Sequence, residues 1–153
     1  MREILFRGFH PCDGPETIVA DGEKIKGKWV EGYYVKRDNR SWIYPAGNQV
    51  ISKSLARELR PLHSAKSTQK VMREVFLVLP STVGQWTGKI DKYEKKVFSG
   101  DKVYYSHEDR IYSVEWNDSL LRWEGLVGWI AVPLYQFVDS CEVIGTVFDE
   151  GQQ

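Results

Sequence analysis

The residue types that bind metals or attack carbonyl groups are few and scattered in this chain. His10 and Cys12 lie two positions apart, but no second pair of metal-ligating residues matches them. Residues 106–109 contain a hydroxyl, an imidazole and two carboxylates in a row. Neighbouring residues of a strand or turn point in different directions, so we interpret this run as a polar turn. We therefore predict no catalytic residues, no metal site and no cofactor.

Nucleic-acid binding is a second chemistry that the residue types suggest. Lysine and arginine hold phosphates, and aromatic rings stack on unpaired bases. A predicted hairpin brings two arginines and a tryptophan together, and a basic stretch follows at about residues 52–74, which we interpret as a mobile insertion. Against this hypothesis, the whole chain is neutral, with 21 basic and 21 acidic residues, whereas many nucleic-acid-binding domains are basic. The candidate residues are Arg37, Arg40, Trp42, Lys53, Arg57, Arg60, Lys66, Lys70 and Arg73.

Length and composition indicate one folded domain spanning residues 1–153. The chain has room for a core, and its 42% hydrophobic content excludes a disordered tail or a collagen-like chain. The two longest uncharged stretches have 14 residues each, which is shorter than the roughly 20 that a membrane helix needs. Together with the lack of a signal sequence, this predicts a cytoplasmic protein that does not contact membranes. In a reducing cytosol both cysteines are expected to be free thiols, the alternative being a bridge between Cys12 and Cys141 if the chain ends meet.

The charges are distributed unevenly along this neutral chain. Residues 1–79 carry 14 basic and 9 acidic side chains, whereas residues 80–153 carry 7 basic and 12 acidic ones. Such polarity could orient a partner or pair subunits head to tail. The alternative is that the charges are placed by chance on a solvated surface.

Aromatic and β-branched residues occur in short runs separated by turn residues, which is typical of β-strands. The period of two places Tyr112, Val114 and Trp116 on one face of a strand. We predict an all-β fold, a partly open SH3-like barrel of short antiparallel strands, with one or two short helices at residues 54–60 and 133–138. The predicted strands cover residues 29–36, 41–44, 96–98, 100–105, 111–116, 120–123, 127–132 and 143–148.

Several short motifs, spread over nearly the whole chain, match the pattern of one protein family. They lie at residues 2–8, 27–35, 82–88, 91–92, 96–103, 114–116 and 142–149. In their order and spacing the chain resembles the YopX-like proteins carried by phages and prophages. The resemblance implies a small, mostly β domain with no established biochemical activity, so no catalytic residue can be transferred. The family usually has glycine in the turn where Tyr93 and Glu94 stand here, so we expect a strained or different turn.

These observations favour binding over catalysis. We expect a non-enzymatic accessory protein that self-associates or binds another phage or host protein, with nucleic-acid binding as the alternative. Asp101, beside Gly100, is predicted to turn the chain by accepting hydrogen bonds from nearby backbone N–H groups.

Overall fold

The computed structural model of the chain describes residues 4–45 and 75–149. The basic stretch at 52–74 and the helix predicted at 54–60 lie outside the described residues. Short 3₁₀ turns occur at Pro80–Thr82, Leu134–Gln136 and Val138–Ser140. The strands in the described part are β1 (Phe6–Ala20), β2 (Glu23–Arg37), β3 (Arg40–Pro45), β4 (Phe76–Val78), β5 (Gly84–Ile90), β6 (Lys96–Phe98), β7 (Asp101–Tyr105), β8 (Arg110–Asn117), β9 (Arg122–Val127), β10 (Ile130–Pro133) and β11 (Cys141–Thr146).

The predicted all-β fold is confirmed, but its strands do not close into a barrel. They form one sheet in the order β4-β3-β2-β1-β5-β6 and another in the order β10-β9-β8-β7-β11. The helix expected at 133–138 is replaced by two 3₁₀ turns, because Pro133 ends β10 and Phe137 departs from helical backbone angles. Among the described residues, no helix is long and apolar enough to cross a membrane.

The chain divides into two compact units with opposite net charge. Unit 1 comprises Met1–Glu16 and Ile25–Val83, and unit 2 comprises Thr17–Lys24 and Gly84–Gln153. Unit 1 has 13 Lys and Arg against 7 Asp and Glu, a net charge of +6. Unit 2 has 8 against 14, a net charge of −6. The overall neutrality of the chain therefore conceals a basic unit and an acidic unit.

Unit 1 is organised by the hairpin of β2 and β3. Asp38 and Asn39 form the two-residue turn with φ of 54° and 62°, the left-handed angles that a type I′ hairpin turn requires. Asp and Asn tolerate these angles better than most residues. The hairpin between the strands predicted at 29–36 and 41–44 is therefore confirmed. One face of the hairpin is buried. Its core residues are Val30, Ile43 and Val78, with Phe6, Tyr34, Phe76 and Val83 packed against them.

Unit 2 is built on the antiparallel sheet β10-β9-β8-β7-β11. Tyr112 and Val114 are buried on one face as the period of two predicts, while Trp116 at the end of the same row is 45% exposed. The strand predicted at 127–132 is interrupted, because Gly128 adopts a left-handed φ of 57° and turns β9, which ends at Val127, into β10, which begins at Ile130. The buried core consists of Val97, Val103, Tyr112, Val114, Leu134, Phe137, Val138, Cys141 and Val143.

Two turn predictions of unit 2 are confirmed. The carboxylate of Asp101 accepts a hydrogen bond from the backbone N–H of Phe98 at 2.8 Å, so this acid fixes the turn between β6 and β7. Glu94 stands at a φ of 64°, an angle at which a residue with a side chain costs about 1–2 kcal/mol. The turn in which the family usually has glycine is therefore strained in this chain.

Candidate functional site

The face of the β2–β3 hairpin that lies opposite the unit 1 core carries aromatic and cationic side chains. The register pairs Tyr33 with Tyr44, Val35 with Trp42 and Arg37 with Arg40. Directly opposed residues of antiparallel strands project to the same face, so these three pairs form one continuous surface. Val35 and Tyr33 are both partly exposed there, as is Leu77 of β4, which pairs with Trp42. The pattern that buries Ile43 therefore leaves a tryptophan and two tyrosines on the outer side.

A cleft of about 350 Å³ opens on this surface. It has the size of a small ligand-binding pocket. Arg37 and Arg40, at the hairpin end, supply two guanidinium groups, and Trp42 and Tyr44 supply aromatic rings. The residues that line the cleft, which we call the arginine–aromatic cleft, are Val35, Arg37, Asp38, Arg40, Trp42, Tyr44 and Val75.

The chemistry of the arginine–aromatic cleft suits a ligand that combines a phosphate with a flat ring. Guanidinium groups donate paired hydrogen bonds to phosphate oxygens, and an indole ring offers a flat apolar face for stacking. Arg37 and Arg40 are exposed, so they can meet a ligand without first losing buried contacts. Two arginines and one aspartate stand among the lining residues, so this lining is net positive and attracts anions.

Three of the nine candidate nucleic-acid residues meet in this cleft, namely Arg37, Arg40 and Trp42. The other six, Lys53, Arg57, Arg60, Lys66, Lys70 and Arg73, lie outside the described residues. Sequence reasoning missed Tyr44, although it stands two positions after Trp42 and the period of two places both on one face. Val75 could not be found in this way, because it reaches the cleft only through the pairing of β4 with β3.

The polar run at 106–109 is a turn, as predicted. The hydroxyl of Tyr104 donates to Asp109 at 2.8 Å, and the hydroxyl of Tyr112 donates to Glu108 at 2.7 Å. The hydrogen bond to the Asp109 carboxylate raises the pKa of Tyr104 above its ordinary value. Both carboxylates thus serve as hydrogen-bond acceptors that hold the ends of β7 and β8.

The thiols do not form a reaction centre in the part of the chain that the structure describes. Cys12 is exposed and Cys141 is buried, and both are free thiols as expected. Burial raises the pKa of Cys141 to about 12, so its thiol stays protonated at neutral pH and is a poor nucleophile. Within residues 4–45 and 75–149, no group of three His, Cys, Asp or Glu side chains could hold a metal ion.

Comparison with known proteins gives one family match. A family model described as YopX protein matches residues 26–152, which include β3, most of β2 and everything that follows. A search of curated proteins finds no match to the chain.

Proposed function

The chain belongs to the YopX protein family, as its motifs indicated, and from this premise we propose that it is a non-enzymatic accessory protein of a phage or prophage. We propose that it works in the host cytoplasm and that its arginine–aromatic cleft binds single-stranded nucleic acid. The observation that carries the proposal is the convergence of Arg37, Arg40, Trp42 and Tyr44 on one cleft. Nucleic-acid binding is the alternative function that the sequence suggested, and the position of these four side chains around one cleft supports it.

Charge and shape both support a nucleic-acid ligand. The neutral composition argued against it, but the lining of the cleft carries two arginines against one aspartate. Exposed aromatic rings on a sheet face stack on bases regardless of base type, and nearby arginines hold the phosphates. In a duplex the base faces are covered by neighbouring base pairs, so an aromatic cleft of this kind favours unpaired strands.

Removing both arginines is expected to weaken binding and its dependence on salt. The variant Arg37→Ala/Arg40→Ala should lose about tenfold or more in affinity for a single-stranded decamer if each arginine contacts one phosphate. Because each phosphate contact on a single strand contributes about 0.7 to the slope of log affinity against log salt, that slope should fall by about 1.4. Fluorescence anisotropy over a series of salt concentrations measures both quantities.

A charge-matched control separates a local contact from a general loss of positive charge. Lys89 and Lys95 are exposed lysines of unit 2, and Lys89→Ala/Lys95→Ala removes the same two charges. This control should retain the affinity of the wild type within about twofold, because neither lysine is among the residues that line the cleft. No binding of single strands at low salt, or an equal loss in the control, would contradict the proposal.

Self-association is a second candidate function, supported by exposed apolar side chains of unit 2. Trp129, at the turn between β9 and β10, is 98% exposed. Leu121, between β8 and β9, is 71% exposed and adopts a left-handed φ of 52°. Tryptophan is enriched at protein interfaces, and the acidic unit 2 of one copy complements the basic unit 1 of another. Such contacts between unlike surfaces build rings or filaments rather than closed pairs.

The test of self-association is the molar mass of the protein across a wide concentration range. By light scattering, the mass should rise with concentration at low salt, and Trp129→Ser should shift the rise to higher concentration. Since Trp129 is almost fully exposed, the substitution should leave folding unchanged. Tyr135→Ser is the matched control, because it removes another exposed aromatic ring of unit 2. A strict monomer at all concentrations would exclude this candidate.

A further inference from the structure

The arginine–aromatic cleft contains one residue that phosphate binding does not explain. Asp38 lines the cleft beside Arg37 and Arg40, so a carboxylate stands in a site suited to anions. Its backbone φ of 54° calls for a residue that tolerates the left-handed region. Asparagine or glycine would meet that requirement at least as well without adding negative charge. Other left-handed turns of this chain also hold aspartate, at Asp21 and Asp109, but Asp38 is the one of these three that lines the cleft.

We infer that Asp38 selects the base, and that the cleft prefers an unpaired base with an exocyclic amino group, such as cytosine, over thymine or uracil. This inference rests on the proposed function. An ionised carboxylate only accepts hydrogen bonds. The N4 amino group of cytosine donates one, whereas thymine presents the O4 oxygen at the corresponding position, which accepts and is repelled by a carboxylate.

The positions of the lining residues allow the aromatic rings to stack on a base, the arginines to hold its phosphates and Asp38 to contact its polar edge. Trp42 and Tyr44 follow Arg40 along β3, so the rings lie further down the hairpin than the turn. Asp38 lies in the turn itself, between the two arginines. A base stacked on the Trp42 ring with its phosphates on the arginines can place its polar edge toward the turn. The volume of about 350 Å³ suits one nucleotide of the strand rather than several.

The test uses the full-length protein and compares its affinities for two pyrimidines of nearly equal size. Wild-type protein should bind a cytosine decamer about tenfold more tightly than a thymine decamer, measured at mildly alkaline pH where cytosine is unprotonated. Asp38→Asn should raise the affinity for both decamers, because it removes a negative charge beside the phosphates. It should also bring the ratio of the two affinities close to one, because an amide both donates and accepts.

The ratio separates base selection from a general electrostatic effect. If Asp38→Asn raises both affinities and leaves the ratio unchanged, the carboxylate only repels phosphate and the inference is overturned. Asn39→Gly, at the neighbouring turn position that does not line the cleft, should keep the wild-type ratio. Asp38→Gly provides a second variant that the left-handed turn accepts, and its ratio should also fall toward one.

Failure of this inference differs from failure of the proposed function. If wild-type protein binds cytosine and thymine decamers equally, Asp38 does not select the base, but the cleft still binds single strands. If it binds neither decamer at low salt, the proposed function itself fails. Cytosine and uracil decamers of RNA should give the same ratio, because the selected edge belongs to the base. A preference confined to DNA or to RNA would contradict selection by Asp38.

Discussion

Asp91→Ala is expected to lower the free energy of unfolding by about 4 kcal/mol, the largest effect on stability that we predict from a single side chain. Asp91 is buried, with 4% of the residue exposed, and its carboxylate accepts three hydrogen bonds from backbone N–H groups. Two come from Tyr93 and Lys95 in the turn after β5, at 2.8 and 2.9 Å. The third comes from Val143 of β11, 52 residues away along the chain, at 2.9 Å. Alanine would leave all three donors without their acceptor.

Urea denaturation followed by tryptophan fluorescence measures this loss. Asp91→Asn keeps one carbonyl oxygen and should lose roughly half as much, since its amide group faces donors that it cannot accept from. Asp139→Ala, at an exposed aspartate of the same unit, should change stability by less than about 0.5 kcal/mol. A loss under 1 kcal/mol for Asp91→Ala would show that β11 is held to the β5–β6 turn by other contacts.

Trp42→Ala is expected to have the largest effect on binding. Stacking of one base on an aromatic ring contributes about 1–3 kcal/mol, so the variant should bind single strands between about fivefold and 150-fold more weakly. Trp42 is only partly buried and lies on the outer face of β3, so its loss should leave the core formed by Ile43 intact.

Two further substitutions show whether the Trp42 effect comes from stacking. Trp42→Phe retains an aromatic face and should recover most of the affinity. Trp129→Ala removes a more exposed tryptophan from the other unit and should not change binding. Equal weakening by Trp42→Ala and Trp129→Ala would mean that binding depends on exposed aromatic surface in general.

Local chemistry explains why the β2–β3 hairpin could be predicted from sequence. The alternation from Trp29 to Lys36, the Asp38–Asn39 turn and the return at Ser41 each follow from rules that involve only neighbouring residues. Asp101 was predictable for the same reason, since its hydrogen bond to the Phe98 N–H spans three residues.

Long-range pairing explains what the sequence did not reveal. β1 contains Pro11, Gly14 and Pro15, which argue against a strand because proline lacks an N–H donor. Periodicity indicates strands but does not specify which strands pair. The prediction of a barrel therefore differs from the structure, in which the strands form two open sheets. The role of Asp91 in joining β11 to the turn after β5 likewise depends on a hydrogen bond from the Val143 N–H, which is far away in the sequence.

The arginine–aromatic cleft was partly predictable. Residue type and a shared hairpin point to Arg37, Arg40 and Trp42, and these three side chains line one cleft. Asp38 was assigned to the turn alone, because nothing in the sequence distinguishes a turn carboxylate from one that faces a ligand. The opposite charges of the two units were visible as a difference between the two halves of the chain, with a boundary close to Val83.

The most direct test of the central proposal is a titration of the protein with a single-stranded decamer, followed by the NMR signals of the indole N–H groups. The chain has six tryptophans, and the signal of Trp42 can be assigned from Trp42→Phe. We predict that the Trp42 signal shifts progressively while those of Trp116, Trp123 and Trp129 in unit 2 stay in place. An unchanged Trp42 signal at saturating decamer, or shifts confined to unit 2, would contradict the proposal that the cleft binds single-stranded nucleic acid.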